Sequence, residues 1–462
     1  MDVSSTTLVI LIVIGGMTLI VPRHLMIAPL FIIACLVPST EEIVIAGFNF
    51  QPARVIVAVG ISRALLGAAG KRYRYVPMDG LVLFWGANLA LMTLLRDGSM
   101  ARFVQQLGRL YEIYGLYFLA RLTIQSKSQL YVALYTLAWC AILSAGLGVV
   151  EWMTHRRPLA FMYDSITPEV HIREGAVRVE GVFPHPNAFG NFMCVTAALC
   201  WGLIASRRKV MLGIVGMISA IVCVGLSRSG TPVSTLGATL LVLVLFYIRP
   251  VTRWVLWGSV AFLGMYHMFW GKWWGLVCRA SNIVGGSGYH RAELINKFWQ
   301  HIGDWAFIGS DDVSTWNVVG DPANNWVTEG LSGGLVGFIV FTSIVVLGFI
   351  TIRRALRMVR DPHDQALFWS IGSALFAFCV SFIGLANFGQ INVLWIGLLG
   401  MIGSVAESMK GASTGATLPH EDQRNVHGMM LSHGAPDRFL PGRMDNPAGP
   451  SSAPPALPGS LT

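Results

Sequence analysis

"SRRKVMLGIVGMISAIVCVGLSRSG", residues 206–230, holds in one line the alternation on which the fold rests. Three cations, Arg207, Arg208 and Lys209, open it, and a run with no charge follows. A polar junction carrying a fourth cation, Arg228, closes it. An apolar run of about 18 residues or more is long enough to cross a bilayer as a helix. Lys and Arg clustered in short loops stay on the cytoplasmic side. The stretch therefore reads as one span with a basic inner end and an arginine at its outer end.

The same pattern recurs along the chain. Of 462 residues, 54% are hydrophobic and only 12% charged, where soluble domains carry about 25%. Mean hydropathy is +0.60. Apolar segments fall near 6–21, 25–38, 54–69, 78–95, 102–122, 129–151, 188–206, 209–226, 230–248, 251–270, 331–352, 366–384 and 388–406. The expected fold class is an all-α polytopic membrane protein with about 11–13 transmembrane helices. The first segment lacks the basic start and small-residue cleavage site of a signal peptide, so it reads as a span or an uncleaved anchor.

Four basic clusters fix the orientation: Lys71 to Arg74, Arg207 to Lys209, Arg249 with Arg253, and Arg353 through Arg360. All four lie inside if the N-terminus is external and the C-terminus cytoplasmic. This topology accounts for the net charge of +9 without a nucleic-acid partner. It also places two loops outside, 152–187 and 271–330. Residues 1–410 form the transmembrane domain. The tail 411–462, with "PSSAPPALPGS" and no apolar periodicity, is expected to be disordered in the cytoplasm. The seven cysteines are odd in number, form no C-x-x-C and sit mostly in apolar runs. They read as small core residues.

No phosphate-binding loop, dinucleotide fingerprint, H-E-x-x-H or G-x-S-x-G occurs. What remains is a set of arginines at the outer ends of spans. Arg178 opens "RVEGVFPHPNAFGNFM", Arg228 lies in "GLSRSG", and Arg291 lies in "GSGYHRAELINKFW". A guanidinium suits bidentate phosphate recognition, although boundary arginines also snorkel to lipid headgroups. In "PHPNAFG" Asn187 is expected to cap a helix opening at Ala188, so that free N–H groups and a positive dipole end face outwards. "GDPANNWVTEGLSGGLVGF", residues 320–338, crowds Asp321, Asn324, Asn325 and Glu329 at the outer end of a span. Its glycines would admit close helix approach, and Glu329 would serve as a base if burial raised its pKa. Trp273, Trp274, Trp299, Trp305, Trp316 and Trp326 in the larger loop read either as interfacial anchors or as platforms for sugar rings.

These pieces resemble, in order, the O-antigen ligase and O-antigen/exopolysaccharide polymerase superfamily of bacterial envelopes. "RVEGVFPHPNAFGNF" is similar to its Arg-x-x-Gly-(aromatic)-x-x-x-Asn run, and "GLSRSG" to its Ser-Arg-(small) junction. "GYHRAELINKFWQHIGDWAFIGS" resembles the Arg-led helix of its large periplasmic loop. "ANNWVTEGLSGGLVG" resembles its Asn-x9-Gly-x-x-Gly run, here Asn324, Gly334 and Gly337. The resemblance covers roughly 130–405. One position departs: ligases of the family carry a histidine just before that Asn, where this chain has Ala323.

The resemblance implies a C-type glycosyltransferase-like fold in the bacterial inner membrane with its active site facing the periplasm. It implies a metal-independent enzyme without cofactor. That enzyme moves glycan from undecaprenyl diphosphate to an acceptor sugar hydroxyl. Arg178, Arg228 and Arg291 would hold the diphosphate, and Asp321, Glu329 or His290 would take the acceptor proton. Gly181, His185, Asn187, His290, Asn324 and Asn325 would line the substrate. Implied partners are the lipid-linked glycan, the acceptor glycan, membrane lipids, and the flippase and chain-length regulator of the same pathway. The missing histidine favours a polymerase over a ligase. A lipid-linked sugar flippase is the alternative of another class, but its charges would lie deep in repeated, broken helices, and this chain gathers them at one face.

Overall fold

Helix starts follow local chemistry. Pro77, Pro186 and Pro362 stand in first turns, where the missing N–H costs nothing and the fixed φ is already helical. Ser99, Ser126 and Asn324 cap their helices through side-chain oxygens. The structure is a computed structural model that describes residues 4–45, 48–66, 73–276, 288–313, 316 and 323–413. The tail beyond 413 and Asp321 lie outside the described residues.

In chain order the helices are α1 (Ser5–Ile20), α2 (Ala28–Leu36), α3 (Pro52–Leu66), α4 (Pro77–Arg96), α5 (Met100–Thr123), α6 (Lys127–Thr154), α7 (Pro186–Ala205), α8 (Val210–Ser227), α9 (Gly230–Leu245), α10 (Arg249–Phe269), α11 (Gly288–Gln300), α12 (Ile302–Trp305), α13 (Asn325–Met358), α14 (Pro362–Ser381) and α15 (Gln390–Ser413). A 3-10 turn (Arg23–Leu25) and two small antiparallel hairpins complete the described elements: β1 (Ile43–Ile45) with β2 (Phe48–Phe50), and β3 (His171–Arg173) with β4 (Ala176–Arg178). Each of the thirteen expected apolar segments coincides with one of α1–α10 or α13–α15. Among the described residues seven helices, α4, α6, α7, α8, α13, α14 and α15, are long and apolar enough to cross a membrane. The chain is a multi-pass membrane protein of the all-α class. α5 falls outside the seven because its interior face is charged: buried Glu112 pairs with Arg54 at 2.9 Å, and buried Arg121 with Asp79 at 3.0 Å.

α7 is the central helix. Every residue from Pro186 to Leu203 is buried, as expected of a helix apolar all round, and α6, α8, α9 and α14 surround it. Its Asn187 is not the cap. That position is His185, whose Nδ1 accepts the Asn187 N–H at 3.0 Å, and the helix begins at Pro186. The imidazole replaces the expected amide because Pro186 supplies the first-turn φ one residue earlier. Outer helices turn apolar side chains outwards, Ile12, Val13 and Ile20 of α1 among them. The described cysteines are free thiols, and all but Cys379 are fully buried.

Cross-helix bonds separate the two ends of the bundle. At one end lie Arg249 on Gln365, Lys127 on Asp364, and Arg121 on Glu407, together with Arg207 to Lys209. At the other lie the starts of α7, α9, α13 and α15 and the ends of α8 and α14.

α13 is a helical hairpin rather than a rod. Gly334 has φ 65° and ψ −168°. The Glu329 carbonyl oxygen lies only 3.3 Å from where a Gly337 Cβ would stand, whereas eight residues of straight helix span about 12 Å. Several backbone groups released at the turn find partners on neighbouring elements. Leu335 N–H donates to Ala306 O at 2.8 Å, Asn88 Nδ2 to Gly333 O at 2.9 Å, and Arg96 to Ser332 O at 2.9 Å. Such pairing is what permits irregular backbone at membrane depth. α11 and α12 sit on this hairpin through a separate core of Leu294, Phe298, Trp305, Trp316, Val327 and Leu331. Trp305 and Trp316 are thus packing residues, while Trp273 and Trp299 keep exposed faces.

Candidate functional site

The connection between α14 and α15, "FIGLANFG" at 382–389, is where the polar groups at the second end of the bundle meet. The last carbonyls of a helix need donors from elsewhere, and here asparagines supply them. The Asn325 N–H donates to Phe382 O at 2.8 Å and to Leu385 O at 3.1 Å. Asn324 Nδ2 donates to Ile383 O at 3.1 Å, and Asn187 Nδ2 to Gly384 O at 2.8 Å. In return the Asn387 N–H donates to Asn325 Oδ1 at 3.0 Å. Asn191 Nδ2 holds Asn187 Oδ1 at 2.9 Å. Asn187, Asn324 and Asn325 therefore shape the floor of the site.

Two of the three expected arginines stand over this floor. Arg178 ends β4, is 5% exposed, and gives Nε to the Ser227 carbonyl at 3.4 Å. Arg291, on α11, lays its guanidinium against Gly384: a Cβ there would stand 2.8 Å from Arg291 Cζ. Among the described residues neither has a carboxylate within ion-pair distance. Burial, and then the charge of Arg173, pulls both below the ordinary guanidinium range, with Glu180 opposing at Arg178. Arginine stays protonated in proteins, so these shifts describe unrelieved positive charge, for which an anion is the natural complement. Arg228 caps α8 in the left-handed region, φ 41°, and its side chain is exposed. It belongs to the same junction but not to the pair formed by buried Arg178 and half-buried Arg291.

Arg173, which links Arg178 and Arg291 electrostatically, was not singled out from sequence. The two-residue Glu174-Gly175 turn, both at positive φ, pairs His171 with Arg178 and carries Arg173 to the site. Two short segments around Glu-Gly were the available signal. The residues 382–389 carry no sequence signal of their own, because two apolar runs, 366–384 and 388–406, meet there.

His185 faces His171, ring centroids 5.8 Å apart. Because a backbone N–H donates to its Nδ1, the neutral ring carries its proton on Nε2 and offers a donor there. The crowding of its loop first, then the charges of Arg178 and His171, lowers its pKa to about 4 although part of the side chain reaches the surface, so it stays neutral near pH 7. Gly181 has φ 57°; its N–H donates to Glu151 Oε2 at 3.0 Å and its carbonyl accepts Arg157 Nη2 at 2.7 Å. Arg157 also pairs with Glu180 at 2.9 Å. Burial pushes Glu180 up to about 7, with Arg157 opposing and Glu151 adding.

The candidate bases lie apart. Glu329 is 2% exposed and accepts Trp85 Nε1 at 2.7 Å, between α13 and α4. His290 is exposed on α11 beside Arg291. Among the described residues no group of three or more His, Cys, Asp or Glu side chains is arranged to hold a metal ion. No protein-family model matches the chain, and no curated protein matches it.

Proposed function

We propose that this protein is a polysaccharide polymerase of the bacterial inner membrane, of the C-type glycosyltransferase kind. It transfers glycan from undecaprenyl diphosphate to an acceptor sugar hydroxyl at the periplasmic face. One observation carries the reading: Arg178 on the Ser227 carbonyl and Arg291 against Gly384, both lacking a carboxylate partner among the described residues, stand at the end of the bundle away from the basic loops. A diphosphate supplies the missing negative charge, and the apolar outer helices give its lipid tail a path. The donor is already activated, so the protein's task is to bind the diphosphate and offset the charge that develops as the glycosidic bond breaks. Neutral His185 donates a further hydrogen bond from Nε2. Of the candidate bases, His290 has access to an incoming hydroxyl, whereas Trp85 closes off Glu329. His290 therefore takes the acceptor proton. In this reading about 11–13 of the segments cross the membrane, with the large loop, 271–330, in the periplasm.

The test uses purified protein and a lipid-linked repeat unit. Arg178→Ala and Arg291→Ala are expected to lose chain extension by about 10²-fold or more while keeping the wild-type melting temperature. His290→Ala should bind diphosphate and fail to extend. Undiminished extension in both arginine variants would sink the reading. In cells lacking the protein, single repeat units in place of long chains support polymerisation. Long chains stranded on the carrier would instead mean a ligase, and repeat units trapped on the cytoplasmic face a flippase.

A further inference from the structure

Gly384 marks a point where two helices, α9 and α11, bring side chains to one spot of the loop. A Cβ on it would stand 2.6 Å from Thr231 Oγ1 and 2.8 Å from both Cζ and Nε of Arg291. Thr231 lies in the first turn of α9, is 5% exposed, and its Oγ1 has no hydrogen-bond partner among the described residues. Most threonines inside helices of this chain donate to the carbonyl four residues back, as Thr93, Thr196 and Thr239 do. For Thr231 that residue is Ser227, which ends α8 and gives its carbonyl to Arg178. The cap of α9 offers no relief, because Ser229 makes no side-chain cap bond and turns its hydroxyl to Asn187 Oδ1 at 3.4 Å. The Gly230 and Thr231 amides likewise have no partner among the described residues. Leaving a buried hydroxyl without a partner is unfavourable, and this one sits beside a guanidinium that also lacks a partner among the described residues.

We propose that Thr231 is a ligand-binding residue: its hydroxyl donates to the same phosphate oxygen that Arg291 holds, and Gly384 lacks a side chain because a Cβ would push aside both the hydroxyl and the guanidinium that hold it. The inference rests on the arginine site proposed above and adds α9 to it. The ligand chemistry is a phosphoryl oxygen, supplied by a lipid-linked diphosphate or by free inorganic diphosphate.

The test titrates the full chain in detergent with inorganic diphosphate and, separately, with undecaprenyl diphosphate. Thr231→Val should weaken binding about tenfold, and Thr231→Ser should stay within about twofold. The ligand-free Val variant should melt no lower than wild type, because it removes an unpaired hydroxyl. A structural hydroxyl would do the opposite, lowering the melting temperature and leaving affinity unchanged, and that result overturns the proposal. Gly384→Ala meets only side-chain ends, so it should fold and bind at least several-fold more weakly; wild-type affinity there also overturns it. Effects with both probes identify the phosphate group alone as the ligand feature, and effects with undecaprenyl diphosphate alone identify the lipid-linked form. If Thr231→Val binds normally while Arg291→Ala does not, this inference fails and the arginine site stands. If neither Arg178→Ala nor Arg291→Ala changes affinity, both fail.

Discussion

Glu180 shows how the loop before α7 is held and how it responds to protons. Buried beside Arg157 and Glu151, it keeps its proton to about pH 7 in the fold, whereas an unfolded Glu loses it near ~4.3. Its folded pKa is raised, so its contribution to stability is complete below the unfolded pKa and is lost as pH rises through 7. Thermal unfolding in detergent should therefore show stability falling between about pH 4.5 and 7, by on the order of 1–3 kcal/mol. Glu180→Gln should flatten that slope. A wild-type profile already flat over this window would disprove the assignment. At this scale the sequence was partly legible. Arg178 and Arg291 stood out as charges beside apolar runs. Arg173 and Thr231 did not, because one arrives through a hairpin and the other looks like any small polar residue in a helix.

The α13 hairpin is the element that least resembles its sequence. The sequence reads 331–352 as an ordinary span, whereas the helix runs 34 residues and doubles back, and only four closely spaced glycines hint at it. The turn depends on Gly334, where φ is positive and a Cβ would stand 2.9 Å from Phe307 O and 3.0 Å from Ala306 O. Both contacts are backbone and cannot swing aside. Gly334→Ala is expected to cost at least about 2 kcal/mol in reversible unfolding. Gly225→Ala, in α8 with open space around it, should change stability by less than about 1 kcal/mol. Equal effects at the two positions would refute the hairpin. The element also explains why Asn324 and Asn325 follow Ala323: the hairpin's first limb must deliver amide groups to the end of α14, a requirement set by a partner some sixty residues away (Asn324 to Ile383 is 59).

For the molecule as a whole, apolarity and loop charge were enough to place the helices, since both are properties of short segments. The buried charges of α5 and the 382–389 junction were not legible, because their meaning comes from neighbours distant in sequence. The orientation inferred from the basic loops has a direct check. Single cysteines replacing Arg207 and Glu174 should react with an impermeant thiol reagent from opposite sides of the membrane, Glu174 from outside. Labelling of both from one side would overturn the topology. One consequence concerns α7. A helix enclosed on every side has little freedom to lose, and the rim it carries, His185 and Asn187, inherits that rigidity. A ligand arriving at this rim meets donors already in place, so its binding free energy is not spent on ordering the protein.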